Sequence, residues 1–184
     1  MVINFAQNKT VFPPLLIENK AVEKITSTRV LGLILQNDLK WNEHIHYMTA
    51  KANRRLYMLR LLKRAHADPD TLVNVYFTII RPVLEYACVV WNYNIPAYLD
   101  NEIEMVQKRA MRIICPFAHY KDALTDLAIQ TLAERRAATC KSFFNLIILD
   151  KHNLQDYLPA RRNNNLRNNN NFTNFKCKTN RYLK

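Results

Sequence analysis

The stretch Thr71–Trp91 constrains the fold more than any other part of the chain. Its apolar residues recur at steps of three and four, a spacing that predicts an α-helix. They form two adjacent stripes: Leu72, Tyr76, Ile79, Val83, Tyr86 and Val90, and then Phe77, Ile80, Leu84, Cys88 and Trp91. Because only a narrow polar stripe remains, we expect a buried helix surrounded by other helices. Asp68 is a suitable N-cap, Pro69 suits the first turn, and Pro82 should kink the helix.

The glycine content argues against a fold built from many tight turns. The 184 residues include a single glycine, Gly32, where about 7% is usual. Glycine-rich phosphate loops are therefore absent. Short apolar segments predict strands at Leu15–Glu18, Val22–Ile25 and Arg29–Gln36, with Gly32 inside the last one as a bulge or a close backbone approach. We predict a mainly α protein, a helical bundle preceded by a small N-terminal β-hairpin.

Four further segments of the sequence predict the rest of the bundle. A helix should run from Trp41 or Asn42 to Arg64, and another from a cap at Asp100 or Asn101 to just before Pro116. The others are a short helix over Tyr120–Ile129 and a helix opened by Thr131, with Ala133, Ala137, Cys140, Phe144 and Ile147 as its core stripe. We expect three regions: a hairpin in 1–40, a bundle in 41–158 and an Asn-rich, basic, disordered tail in 159–184.

The positive charge of the chain is concentrated in two places. The net charge is +12, with +5 in residues 41–67 and +7 in residues 151–184. Such a distribution indicates a polyanionic partner, of which nucleic acid is the foremost. The candidate phosphate contacts are Lys51, Arg54, Arg55, Arg60, Lys63, Arg64, Lys108, Arg109 and Arg112. Two alternatives stay open, a merely solvated basic face and, for Lys108, an i, i+4 pair with Glu104.

The sequence offers no catalytic or metal-binding constellation. It contains no Asp-Asp dipeptide, and the four cysteines are too far apart in sequence to indicate zinc or a disulfide framework. His44 and His46 would point in different directions on a helix, so we expect no shared metal. The apolar runs without charge are short, and the N-terminus does not resemble a signal peptide. We therefore expect an intracellular protein of the nucleus or cytoplasm, without membrane or small-molecule partners.

Several motifs together resemble one family. They are Leu31–Leu35 (LGLIL), Leu39–Ile45 (LKWNEHI), Ile80–Ala87 (IRPVLEYA), Val106–Ile114 (VQKRAMRII) and Glu134–Arg136 (ERR). Over about Leu15–Leu158 the chain resembles the C-terminal part of LINE-type, non-LTR retrotransposon reverse transcriptases, which comprises the primer grip, the thumb and the region after the thumb.

The resemblance implies roles for these segments. Leu31 and Gly32 would belong to the primer grip, and the helices from Asn42 onward would be a thumb lying along an RNA–DNA hybrid or an RNA template with a DNA primer. The parent enzymes hold Mg²⁺ on palm carboxylates that this chain lacks. The resemblance thus implies a fragment of an RNA-directed DNA polymerase, without a cofactor or activity of its own, which would pack against the palm and fingers. The alternatives are a non-enzymatic RNA- or DNA-binding helical module and a structural interaction protein.

Overall fold

The computed structural model describes Met1, Ile3, residues 13–149 and residues 153–159, except for the side chain at position 94. It divides into two compact units, the first built from residues up to 87 and from 95–133, the second from 88–94 and from 134 onward. The mainly α fold with small N-terminal hairpins is confirmed. The division into three regions stays a prediction, and the disorder predicted for the tail concerns residues 160–184, which lie outside the described residues.

Within the described residues the chain forms four strands and seven α-helices. The strands are β1 (Leu16–Ile17), β2 (Lys20–Ala21), β3 (Ser27–Val30) and β4 (Leu33–Gln36). The helices are α1 (Asn42–Arg64), α2 (Pro69–Val75), α3 (Arg81–Glu85), α4 (Cys88–Trp91), α5 (Ala97–Ile114), α6 (Tyr120–Asp126) and α7 (Leu132–Ile148). A π-helical turn, Tyr76–Ile80, joins α2 to α3, and 3₁₀ turns occupy Asn92–Asn94 and Gln155–Tyr157.

Two-residue turns set the register of both hairpins. Glu18 and Asn19 join β1 to β2 with φ values of 49° and 60°, the left-handed pair typical of a type I′ turn. This turn makes Lys20 the partner of Ile17, so the strand predicted at Val22–Ile25 is wrong.

The β3–β4 hairpin corrects the reading of Arg29–Gln36 as one strand with a bulge. Leu31 and Gly32 have φ values of 49° and 85° and reverse the chain between Val30 and Leu33. Glycine suits the second position of such a turn because it adopts a positive φ at little cost. The uninterrupted apolar run had concealed this turn.

The first unit is organised by α1 and α5, which run parallel. Asn42 accepts a hydrogen bond from the Tyr98 hydroxyl at one end, and Lys63 donates to the Ile114 carbonyl at the other. The bounds predicted for α1 are confirmed. The start predicted for α5 is wrong: the helix begins at Ala97, because the carbonyl of the extended Pro96 accepts the first helical hydrogen bonds.

The predicted central helix is broken into segments. The fully buried residues of its first-unit part recur every four positions, at Leu72, Tyr76, Ile80 and Leu84. In a regular α-helix such a spacing rotates the stripe by about 40° at each step. The π-helical turn accommodates this spacing because it holds more residues per turn. The distortion predicted at Pro82 is therefore a widened turn just before it, and the helix ends at Glu85, ahead of a left-handed Ala87 (φ 49°).

The start of this segment follows the sequence prediction. The Asp68 carboxylate accepts from the Thr71 backbone N–H (2.9 Å), with Pro69 in the first turn. By length and composition alone, Pro69–Trp91 is long and apolar enough to cross a membrane, with a mean hydropathy of 1.4. A core helix of a soluble protein passes the same test.

Left-handed residues end two helices without glycine. After α1, the His66 and Ala67 N–H groups donate to the Lys63 and Leu62 carbonyls, and His66 has a φ of 59°. This is a Schellman motif. Ala128 (φ 51°) ends α6 in the same way, so the short helix stops before the predicted Ile129.

The second unit contains a buried arginine that the predicted core stripe of α7 omitted. Arg136 is fully buried, its Nε donates to Asn92 Oδ1 (2.8 Å), and its guanidinium lies 5.7 Å from the centroid of a Trp91 ring. Ala137 and Phe144, predicted to be core residues, are exposed. The prediction is wrong here because hydrophobic periodicity assigns a charged side chain to solvent, whereas an aromatic ring and an amide oxygen stabilise this one in the interior.

Candidate nucleic-acid interface

The β3–β4 turn lies against the end of α3. The Tyr86 hydroxyl donates to the Leu31 carbonyl (2.9 Å), and a Cβ on Gly32 would lie only 3.2 Å from a ring carbon of Tyr86. The close approach at Gly32 is thus made by the Tyr86 side chain, and not by a second backbone segment as expected. Two segments that carry the family resemblance, LGLIL and IRPVLEYA, are therefore in direct contact.

A cleft of about 280 Å³ opens beside this contact. Its lining residues are Arg29, Gly32, His44, Tyr47, Met48, Lys51, Pro82, Val83 and Tyr86. The Arg29 guanidinium lies 5.3 Å from the centroid of the Tyr47 ring, and Lys51 is exposed. Cations beside exposed aromatic rings can bind phosphates and stacked bases. Sequence reasoning missed Arg29, Tyr47 and Tyr86, although Tyr86 stands in a motif that it had quoted.

His44 forms a neutral part of the cleft wall. It is 3% exposed, and its Nδ1 accepts from the Ile34 N–H at 3.4 Å. Burial lowers the pKa of His44 below its usual value. The positive charge of the cleft therefore comes from Arg29 and Lys51.

Neighbouring arginines on α1 have different surroundings. Arg54 is exposed, whereas Arg55 is half-buried and donates from Nη1 to the Ile79 carbonyl inside the π-helical turn. The Arg55 side chain thus connects α1 to a backbone carbonyl of the π-helical turn. Lys51, Arg54 and Arg55 were predicted to share one phosphate-binding face, but Arg55 has a structural contact of its own.

The remaining candidates on α1 lie near its C-terminal end. Lys63 is half-buried, and its Nζ donates to the Ile114 carbonyl (3.2 Å), which binds the end of α1 to the end of α5. Arg60 and Arg64 are exposed and make no hydrogen bond or ion pair with other residues that the structure describes. These two therefore remain available to an external anion.

The three candidates on α5 also differ from one another. Arg109 donates to Asn53 Oδ1 (2.9 Å), and Lys108 Nζ lies 5.4 Å from the centroid of the Tyr120 ring. Arg112 is exposed. Glu104, the alternative partner for Lys108, accepts hydrogen bonds from the Tyr120 hydroxyl and the Leu132 N–H. Arg112 is thus the cation of α5 that is most open to a ligand.

A buried amide, which sequence reasoning missed, holds α5 in place. Gln107 is 0% exposed; its Oε1 accepts from the Tyr76 hydroxyl, and its Nε2 donates to the Gln130 carbonyl and the Tyr120 hydroxyl, both at 3.0 Å. Burial, with the Glu104 carboxylate beside it, raises the pKa of Tyr120 far above its usual value. The phenol therefore remains a donor to Glu104, and the network fixes the orientation of α5 and its cations.

The two histidines of α1 have separate partners. His46 Nδ1 lies 2.9 Å from Glu102 Oε2, whereas His44 faces β4. Among the described residues no group of three His, Cys, Asp or Glu side chains could hold a metal ion.

The parallel arrangement of α1 and α5 concentrates charge at one end. Residues 44–67 and 105–121 contain ten lysines and arginines and no acidic residue. The acids of these helices, Glu43 on α1 and Asp100, Glu102 and Glu104 on α5, all lie near their N-terminal ends. Since the helices run parallel, their basic halves lie side by side, an arrangement that attracts a polyanion.

The fold and this charge distribution together define a strongly basic, mainly helical module. Neither a protein-family model nor a solved structure matches the chain. Among curated proteins, it is similar to the probable RNA-directed DNA polymerase from transposon BS of Drosophila melanogaster, with 25% identity over 135 residues. The match covers 69% of this chain and 15% of that protein. This similarity supports a reverse-transcriptase-related family.

Proposed function

We propose that this chain is the primer-grip and thumb region of a retrotransposon reverse transcriptase and that it binds the template–primer duplex. The contact of Tyr86 with the Leu31–Gly32 turn carries the proposal, because it joins the hairpin to the helices where the cleft opens. The transposon polymerase to which the chain is similar supports nucleic acid as the partner.

The exposed and the internally bound cations have different tasks in this proposal. Arg29 and Lys51 contact phosphates at the cleft, and Arg54, Arg60, Arg64 and Arg112 extend the positive surface along the helices. Arg55, Lys63 and Arg109 hold those helices together through the contacts described above. Phosphate contacts carry no sequence information, so we expect recognition by shape and charge.

Chemistry is left to the rest of the polymerase. Two-metal phosphoryl transfer requires carboxylates that hold both ions, and the resemblance covers none of the palm motifs that supply them. We therefore expect the isolated chain to bind a primer–template without extending the primer.

Salt-dependent binding to a labelled RNA–DNA hybrid tests the proposal. The double variant Arg29→Ala/Lys51→Ala should bind more weakly, to the same degree on hybrids of different sequence. The slope of log K against log salt should flatten by about 2, since each phosphate contact contributes roughly 0.9. The control, Lys20→Ala/Lys141→Ala, removes the same charge from exposed positions outside the cleft and outside the basic halves of α1 and α5 and should leave most of the slope unchanged.

Two results would contradict the proposal. One is equal flattening by the cleft variant and the control, which would mean that only net charge matters. The other is the absence of hybrid binding at low salt by a chain that unfolds cooperatively, which would favour the structural interaction module.

A further inference from the structure

The turn after α5 presents a fully exposed aromatic side chain. The Cys115 carbonyl accepts from the Ala118 N–H (3.4 Å), which closes a turn with Pro116 and Phe117 at its centre. Proline favours the first central position because its φ is already fixed. The Phe117 side chain has a relative exposure of 101%. A large apolar ring therefore lies fully in solvent, on a turn in which the φ of Pro116 is fixed.

Three exposed arginines lie near the helix ends next to this turn. Arg112 is in the last turn of α5, just before it. The hydrogen bond from Lys63 to the Ile114 carbonyl places the end of α1, with Arg60 and Arg64, beside the same segment. We call Arg60, Arg64, Arg112 and Phe117 the Phe117 patch. The stretch 105–121, which contains the turn, has no acidic residue.

We propose that the Phe117 patch binds single-stranded nucleic acid, with Phe117 stacked on an unpaired base and the three arginines on the phosphates. Charge complementarity argues for a polyanion, and the exposed ring argues for bases whose faces are free. In a duplex both faces of an internal base are covered by its neighbours, so such a ring gains contact only at an unpaired base or a strand end. Aromatic stacking of this kind tolerates any base sequence.

The patch and the cleft consist of different residues, so they can be tested apart. The inference shares with the proposed function only the premise that the ligand is a nucleic acid. A single-stranded template extending beyond a hybrid is the ligand that fits it within a polymerase. Oligo(dT), which forms little secondary structure, and a blunt RNA–DNA hybrid serve as probes.

The experiment compares Phe117→Ala, Phe117→Trp and the control Tyr157→Ala, which removes another strongly exposed ring (84%) beside the acidic Asp156. Phe117→Ala should lower the affinity for oligo(dT) roughly five- to 150-fold, since stacking on one base has an effect of this size. The blunt hybrid should be affected less than about two-fold. Phe117→Trp should retain oligo(dT) affinity, and its added fluorescence should be quenched on binding. Tyr157→Ala should bind both probes like the parent chain.

The outcomes separate the two proposals. Loss of oligo(dT) affinity in Phe117→Ala supports the patch, even if the hybrid does not bind and the proposed function fails. Unchanged oligo(dT) affinity, with hybrid binding that depends on Lys51, overturns the patch alone. An equal loss on both probes would also overturn it, as would an unquenched Phe117→Trp. Thermal unfolding checks that the variants fold. We expect them to fold, because the exposed Phe117 side chain does not pack in the core.

Discussion

The two ends of the α1–α5 pair differ in what their polar side chains contact. At the N-terminal end, Glu102 accepts from Thr49 (2.6 Å) and lies beside His46, while Tyr98 donates to Asn42. At the C-terminal end, Arg60, Arg64 and Arg112 face solvent. The first end stabilises the fold with its charged groups. The second, apart from Lys63, exposes its cations, and Arg60 and Arg64 have the i, i+4 spacing at which like charges cost stability. Such a cost is typical of a surface kept for a ligand.

The largest change in stability should come from comparing two adjacent arginines of α1, one bound within the fold and one exposed to solvent. Arg55→Ala should lower the free energy of unfolding by about 2 kcal/mol, because it leaves the half-buried Ile79 carbonyl without its charged donor. Arg54→Ala should change it by less than about 0.5 kcal/mol and should instead flatten the salt dependence of hybrid binding. Urea unfolding and binding titrations measure both quantities. Equal destabilisation by the two variants would contradict the separate roles of Arg55 in the fold and of Arg54 in binding.

A smaller loss of stability is expected from a substitution at the N-terminal end of the α1–α5 pair. Glu102→Ala should destabilise the fold by about 1 kcal/mol, because the Thr49 hydroxyl retains the Ile45 carbonyl at 2.8 Å as a second acceptor. The control is Asn101→Ala at the exposed neighbouring position. The two variants should differ in their urea midpoints but should bind nucleic acid equally well. Weaker hybrid binding by Glu102→Ala, or a midpoint like that of Asn101→Ala, would contradict this prediction.

His44 should contribute to the pH dependence of stability. The folded-state pKa of His44 lies below the usual value of 6.5 because the side chain is buried. Below about pH 6.5 the unfolded chain takes up this proton more readily than the folded chain, so stability falls with pH down to the folded-state pKa. The urea midpoint should therefore drop between pH 7.5 and 5.5, and drop less in His44→Gln. An equal drop in the urea midpoint of His44→Gln would contradict the assignment.

The smallest effect should be a gain in stability. Arg60 and Arg64 are four residues apart on α1, a spacing at which like charges repel. Arg60→Gln should stabilise the chain by about 0.2–0.5 kcal/mol at low salt, and the gain should vanish at high salt as the charges are screened. Thermal unfolding at two salt concentrations measures it. A gain that persists at high salt would indicate a cause other than repulsion.

Apolar periodicity and capping residues in the sequence correctly predicted those helix bounds that do not depend on tertiary contacts. The bounds of α1 follow from a long apolar periodicity, and the start of α2 follows from the Asp68 cap. The π-helical turn was not predictable, because one of its carbonyls is bound by Arg55 from another helix. The β3–β4 turn was missed because its residues, Leu31 and Gly32, continue an apolar run instead of showing the usual turn pair.

The candidate site was predicted as a set of cations, without their separate tasks. Charge counting predicted nine cations, whose binding to nucleic acid stays a prediction. Which of them hold the fold together depends on the parallel packing of α1 on α5, and helical periodicity carries no information on direction. The same holds for Arg29, which reaches the cleft only because the hairpin folds back on Tyr86.

The π-helical turn also has a mechanical consequence. Such a turn can shift along a helix when neighbouring carbonyls exchange donors, but Pro82 has no N–H to offer and Arg55 occupies the Ile79 carbonyl. The widened turn is therefore pinned on both sides. Tyr86, one helical turn further on, connects α3 to the tip of the hairpin. A displacement of the hairpin tip would thus be transmitted through Tyr86 and α3 to α1, because the π-helical turn cannot relieve it by shifting along the helix.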